Sequence, residues 1–298
     1  MSLGVLNNLS AMYAANNLNN TNNSLSKTLQ QLSSGSRINS GADDAAGLSL
    51  VNGLQANATA LAQSQTNAQE GVGLLQVADG ALSQVTNLLN RAVTLATEAS
   101  NGTLNTAQLT AADQEYQSIL GEINNIGATT TYNGNKVFGP ATDVAIYTGD
   151  STTTSATTDT LHLTAIDTTA GLGDTVGVVA YAPGGFTYTA TAGQKLTGAT
   201  NKLDAANSST VLTNIHNAIN DIAAQDGYVG SQINTLNAMS QVISTQQQNI
   251  TAAQNAVQAT DYATASSNMS KYEILSQTGI SALAQANSLQ QEVTKLLQ

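Results

Sequence analysis

Residues 211–258 read VLTNIHNAIN DIAAQDGYVG SQINTLNAMS QVISTQQQNI TAAQNAVQ, and within them Ile215, Ile222, Val229, Leu236, Ile243, Ile250 and Val257 recur at every seventh position. An α-helix completes a turn in about 3.6 residues, so an apolar residue kept at every seventh place returns to nearly the same side of the helix. A seam sustained over six such steps predicts one long helix burying a narrow apolar stripe, as coiled coils do. A globular bundle uses the same stripe, but over shorter helices and with aromatic filler that is scarce in this chain.

The periodicity also appears in the N-terminal half. Leu75, Ala78, Leu82, Val85, Leu89, Ala92, Ala96 and Ala99 alternate in steps of three and four. Bounded by the acidic Asp43-Asp44 and by Asn101-Gly102, this stretch predicts a single helix of roughly 85 Å at ~1.5 Å per residue. Leu109, Ala112, Tyr116, Ile119, Ile123 and Ile126 repeat the pattern after a cap at Thr106 or Thr110 and before Gly127, so this segment should fold back antiparallel on the first. The core expected from the three segments is Leu82, Val85, Leu89, Ile119, Ile123, Ile222, Val229, Leu236, Ile243 and Ile250.

Between these halves the helical period disappears. Thr, Gly and Ala dominate from about Thr129 to Thr200, and both prolines, Pro140 and Pro183, lie inside. Thr131-Tyr132 before Asn133-Gly134 and Lys136-Val137-Phe138 after it predict a hairpin, because Asn and Gly both tolerate positive φ. Short strands are expected at 144–147, 160–166, 175–181 and 186–191. A disordered Thr-rich linker is the alternative, but the β-branched content favours strands. The fold class is therefore mainly α, with long coiled-coil-like helical arms from both termini and a small β-rich insert in the middle.

The composition gives these elements a purpose. Charged residues make up 9% of the 298, with 8 Lys+Arg against 19 Asp+Glu for a net charge of −11, and aromatics make up 4% with no Trp. At the two ends, Leu18, Leu25, Leu29 and Leu32, and Leu275, Ala282, Ala286, Leu289, Val293 and Leu296, form apolar stripes on helices otherwise rich in Asn, Gln and Ser. Such arms bury too little to order alone and should fold on pairing with each other or with a partner. A surface that will be buried against other copies carries Lys and Glu only at a desolvation cost, whereas Asn, Gln, Ser and Thr exchange water for neighbours more cheaply. Sparse charge beside unsatisfied stripes predicts a self-assembling subunit, and head-to-tail contacts that do not close give an open helical filament.

Other classes are disfavoured. The acidic balance, with pI near 4.2, offers no basic patch for nucleic acid or anionic lipid. No apolar run reaches the ~18 residues of a spanning helix, so no membrane insertion is expected. The first cation is Lys27, and no apolar run precedes it, so a cleaved secretory signal is not expected. With no cysteine and only two distant histidines, His162 and His216, thiolate chemistry and two-His metal helices are absent, as are the serine-hydrolase, phosphate-loop and dinucleotide signatures. No catalytic residue, metal or cofactor is expected.

Four blocks carry a family resemblance. Leu32-Ser33-Ser34-Gly35-Ser36-Arg37-Ile38-Asn39-Ser40 followed by Asp43-Asp44-Ala45-Ala46-Gly47 resembles the L-S-S-G-x-R-I-N-S-x-x-D-D-A-A-G signature of bacterial flagellins. Residues 131–138, with Tyr132 before Asn133-Gly134, are similar to that family's T-x-F-N-G-x-K-V-L. Asp261-Tyr262-Ala263-Thr264 with Ser267-Asn268-Met269-Ser270-Lys271 and Ile274-Leu275 resembles its C-terminal block, completed by Leu283-Ala284-Gln285-Ala286-Asn287.

The resemblance implies a structural subunit of the flagellar filament, extracellular and serving motility, built in layers. It implies an N-terminal inner-tube helix and connector over 1–43, outer-tube helices and a hairpin over 44–138, and a variable β-rich outer domain over 139–202. The C-terminal outer-tube helix would cover 203–258 and the inner-tube helix 259–298. Arg37, Asn39, Asp43 and Asp44 fall in the connector, with a structural or inter-subunit role and helix capping by Asp43 or Asp44 as compatible readings. The implied partners are further copies of the chain, a flagellar export chaperone on the C-terminal stripe, the filament cap protein and the hook-filament junction protein. Export would be of the type III kind, in an unfolded state. In the family's innate-receptor patch, Q-R-V-R-E-L-A-V, the matching positions are Arg91 and Leu95, with Glu115 on the next helix, while Val93 and Thr94 replace an Arg and a Glu. A hook-filament junction protein, or a subunit whose middle domain is a surface adhesin, would share the same architecture.

Overall fold

The computed structural model describes residues 8–139, 143–149, 158–169, 171–172, 175–182, 185–191, 195–198, 201–204 and 206–296, with backbone alone at the described positions among 143, 158, 171–191, 289–290 and 292–296. The helices are α1 (Leu9–Ser34), α2 (Ala45–Ser100), α3 (Thr106–Thr129), α4 (Ser208–Gln258) and α5 (Tyr262–Leu296). Between α3 and α4 lie four antiparallel two-stranded ladders: β1/β2 (Thr131–Tyr132, Asn135–Lys136), β3/β4 (Asp143–Tyr147, Thr158–His162), β5/β6 (Ile166–Asp167, Gly171–Leu172) and β7/β8 (Thr175–Ala182, Gly185–Thr191). The chain forms two compact units, Met1–Ala56 with Asn249–Gln298, and Asn57–Gln248. Their division cuts α2 and α4 internally; of the implied layer boundaries, 258/259 falls at the end of α4 and 43/44 falls in the connector just before α2.

In the Asn57–Gln248 unit, α2 and α3 are joined by a short turn, and α4 packs against α2 where Leu236 reaches Gly71. Leu75, Ala78, Leu82, Val85, Leu89, Ala92 and Ala96 of α2 are fully buried, with Tyr116 and Ile123 of α3 and Ile215, Ile222, Val229 and Leu236 of α4. Small alanines let the helices approach, and the thin core uses one aromatic, Tyr116, among its largest fully buried side chains. Of the other expected core positions, Ile119 and Ile243 are buried. Ile250 is half-buried and belongs to the other unit.

α2 stops where expected, with Gly102 at φ +68° just beyond it. The start of α3 differs from expectation. Its cap is Asn105, not Thr106 or Thr110: Asn105 Oδ1 accepts from Gln108 N at 2.9 Å while Asn105 N donates to Gln108 Oε1 at 2.9 Å. Asn caps at least as well as Thr, and only Asn105 has a Gln at the third helical position to close the box.

The β1/β2 turn is as the sequence predicts, with Asn133 at φ +49° and Gly134 at φ +80°. The expected strand 160–166 instead divides. β4 ends at His162 and β5 begins at Ile166, each pairing elsewhere. α4 causes the break, since Gln225 Oε1 accepts from Thr164 Oγ1 at 3.0 Å and Tyr228 OH accepts from His162 N at 3.3 Å. The buried Gln225 and Gln232 occupy the second heptad position of α4 below Ala218. Gln225 thus grips the insert directly, and Gln232 supports Tyr228 on the same helix, its Nε2 donating to Tyr228 OH at 2.9 Å. Ile146, Leu161, Leu163, Ile166 and Leu196 of the insert join the helical core.

Candidate functional site

Within the Met1–Ala56 and Asn249–Gln298 unit, α1 and α5 pair antiparallel. Asn8 Nδ2 donates to Ala286 O at 2.9 Å, Ser276 Oγ to Asn22 Oδ1 at 3.0 Å, and Thr260 Oγ1 to Gln31 O at 3.4 Å. The less exposed residues of α1 include Ala11, Ala14, Leu18, Thr21, Leu25, Thr28 and Leu32, spaced three and four apart. Thr21 and Thr28 fit this apolar row because each hydroxyl donates to the carbonyl one turn back, Asn17 O and Ser24 O, both at 2.9 Å, leaving the methyl free. On α5 the corresponding row is Ala265, Met269, Tyr272, Ser276, Gly279, Leu283 and Ala286. Leu18 packs over Gly279, where a Cβ would lie 3.2 Å from Leu18 Cδ1.

A second set of large apolar side chains stands outside this seam. Leu9, Met12, Tyr13 and Leu29 of α1 and Ile274, Leu275 and Ile280 of α5 are between 43% and 65% exposed. The expected inner-helix residues divide accordingly. Leu18, Leu25, Leu32 and Ala286 lie on the seam, and Leu29, Leu275 and Ala282 face outward. Leu289, Val293 and Leu296 lie on α5, with side chains outside the described residues. Leu275 and Ala282 each precede a seam residue, Ser276 and Leu283, so they point about 100° away from it.

The connector between α1 and α2 is fixed to the end of α4 and to the link that leads into α5. Gly35, at φ +69°, ends α1, and its carbonyl accepts from Thr260 N at 3.1 Å. Arg37 N donates to Gln258 O at 2.7 Å and its Nη2 to Val257 O at 2.9 Å. Asn39 Nδ2 donates to Ser36 O at 2.8 Å. Asp43 closes the loop: Oδ1 is 2.8 Å from Lys27 Nζ, and Oδ2 accepts from Asn39 N, Ser40 N and Ser40 Oγ. Lys27, with the Asn39 amide and Ser40 adding to it, holds the Asp43 pKa down at about 2. Asp44 caps α2, its Oδ1 accepting from Gly47 N at 2.8 Å. Lys27 is the connector residue that sequence reasoning missed, because nothing local links it to Asp43.

On the outer helices, Arg91 and Glu115 form an exposed pair, Arg91 Nε donating to Glu115 Oε1 at 2.8 Å. Leu95, grouped with them by sequence, is instead 3% exposed within the core. Leu95 lies about 40° round the helix from Arg91, beside the buried Ala92, Ala96 and Ala99 on the flank of α2 that closes the core, so of the three only Arg91 and Glu115 reach the surface. Among the described residues no group of three or more His, Asp or Glu is arranged to hold a metal, and no helix is long and apolar enough to cross a membrane.

Comparison with known proteins gives a consistent result. The model of the bacterial flagellin N-terminal helical region matches residues 5–142, and that of the C-terminal helical region matches residues 212–297. The chain is similar to a flagellin of Listeria monocytogenes, 31% identical over 288 residues covering 94% of each chain. It is also similar to a flagellin of Halalkalibacterium halodurans, 30% identical over 291 residues covering 97% of this chain and 98% of the other. Among solved structures, Bacillus cereus flagellin covers 63% of this chain and 94% of its own at 31% identity, with a TM-score of 0.43.

Proposed function

Because the chain belongs to the bacterial flagellin family, we propose that its paired terminal helices, over 1–43 and 259–298, form the inner layer of a filament, with 44–138 and 203–258 as the outer layer and 139–202 toward solvent. The chain is a structural subunit of the extracellular flagellar filament and serves motility by polymerising with copies of itself. Neither a junction protein nor an adhesive middle domain is the favoured reading.

The observation that carries the inner-layer assignment is the row of large apolar side chains left in water beside a complete seam. Each side chain of this size gains about 1.5 to 3 kcal/mol when fully buried, and α1 and α5 have already used their mutual face. Charge is sparse on the two helices, with Lys27 on α1 and Lys271, Glu273, Glu292 and Lys295 on α5, so a second copy covering the row has few ions to pair or leave at its rim. Leu29, Leu275 and Ala282 then meet neighbouring copies, while Arg37, Asn39, Asp43 and Asp44 hold the joint between α1 and α2. An export chaperone would cover the α5 stripe before assembly, and cap and junction proteins would meet the same surfaces at the filament's two ends. Export in an unfolded state and a structural role complete the reading. Arg91 and Glu115 are the residues offered to an innate receptor.

Electron microscopy of the full chain carrying Leu29→Asp and Leu275→Asp tests the assignment. These exposed sites should leave the circular dichroism and melting of the monomer unchanged while filaments disappear. Filaments of normal length from that variant would overturn it.

A further inference from the structure

Three Asn-Gly pairs occur in the chain, Asn52-Gly53, Asn101-Gly102 and Asn133-Gly134, and their backbones differ. Asn52-Gly53 lies inside α2, where each N–H is committed to the carbonyl one turn back. Asn133-Gly134 lies between paired strands, Thr131 opposite Lys136 and Tyr132 opposite Asn135, with Asn133 held at φ +49°. Asn101-Gly102 lies beyond the last residue of α2, exposed, with Gly102 at φ +68° and no Cβ neighbour within 4 Å. Among the described residues no acceptor is placed on the Gly102 N–H, and Asn101 Nδ2 donates to Thr103 Oγ1 at 3.3 Å.

We propose that Asn101 is a site of spontaneous, structure-selected deamidation, aging the α2–α3 turn from a neutral amide to a carboxylate. The Gly102 nitrogen attacks Asn101 Cγ, the new C–N bond closes a five-membered imide, and the Cγ–Nδ2 bond breaks as ammonia leaves with the proton from the Gly102 nitrogen. Water then opens either imide carbonyl, giving aspartate or isoaspartate, and nothing is oxidised or reduced. Glycine at the following position leaves the attacking nitrogen uncrowded. Closing the same ring at Asn52 requires opening a helical turn; at Asn133, where Gly134 is likewise exposed and uncrowded, the ladder on either side holds Asn133 at φ +49° and resists the rotation that brings Cγ onto the Gly134 nitrogen. The product places a negative charge beside the negative end of the α2 macrodipole, and the isoaspartate form adds a methylene to the chain path between α2 and α3.

The test is incubation of the purified full-length chain near neutral pH with peptide mass mapping over time, and electron-transfer fragmentation to separate isoaspartate from aspartate. Asn101 should convert at least about tenfold faster than Asn52, the ratio expected if a helical site must first lose backbone hydrogen bonds, and faster than Asn133, whose backbone must first turn against the flanking strands. In denaturant the three rates should draw together. Equal rates in the folded chain, or an advantage of Asn101 that persists undiminished in denaturant, would overturn the structural selection. Asn101→Gln should remove the fast phase of mass gain, and a fast phase that survives this substitution would place the reactive site elsewhere.

Discussion

Gly121 and Gly127 both lie within α3 but differ in their surroundings. A Cβ on Gly127 would lie 2.9 Å from Ile166 Cβ and closer still to the Ile166 carbonyl oxygen, whereas nothing stands within 4 Å of one on Gly121. Gly121→Ala should therefore raise helix stability by about 0.5–1 kcal/mol, and Gly127→Ala should lower it by about 1–3 kcal/mol through overpacking. Thermal unfolding of the two variants checks the opposite signs. Asp43 gives a second residue-scale prediction. Its pKa is depressed to about 2 by Lys27 and the Asn39 and Ser40 donors, so its stabilising effect is complete above the ordinary carboxylate range and fades as pH falls from about 4 toward 2. Asp43→Asn should melt below the natural chain at neutral pH and converge with it near pH 2, by circular dichroism; a gap that persists in acid would contradict the pair. Glycine's role at Asn133-Gly134 was legible in sequence because the turn is local. The roles of Gly127 and Lys27 were not, because each depends on a residue brought close only by folding.

At the scale of elements, helices were legible wherever the apolar period ran long, since α2, α3 and α4 each repeat their stripe over many turns. Ends and short strands were less so. The Asn105–Gln108 box is a four-residue signal present in the sequence, but the neighbouring threonines are also favourable caps and compete with it on local grounds. Asn105→Ala should cost about 1 kcal/mol, read as a lower melting temperature, while Thr106→Ala should change little. The division of residues 160–166 into β4 and β5 could not be read from β-propensity, because Gln225 and Tyr228 on α4 fix where the first strand stops. The α1 and α5 stripes were legible as amphipathic, but the sequence stripe on α5 ran through Leu275 and Ala282, beside the row that meets α1. A small residue conceals the seam there: Gly279 adds nothing to an apolar stripe, yet it allows the close approach that Leu18 exploits.

At the scale of the whole molecule, the Asn57–Gln248 unit holds a continuous core of its own, while the terminal unit rests on one helical pair. A chain lacking 1–34 and 262–298 should keep a cooperative thermal transition by circular dichroism and form no filaments by electron microscopy; filaments from that chain would refute the role of the terminal helices. The sequence by itself determined the long helices, the β-rich insert, the Asn-Gly hairpin and the membership of the flagellin family, because periodicity, turn chemistry and motif blocks are carried by neighbours in the chain. The tertiary structure alone decided which apolar residues close the intramolecular seam and which remain exposed. It also decided that Leu95 is core, and that Lys27 and Asp43 brace the connector. Those outcomes depend on distances between residues far apart in sequence, which periodicity along the chain does not encode.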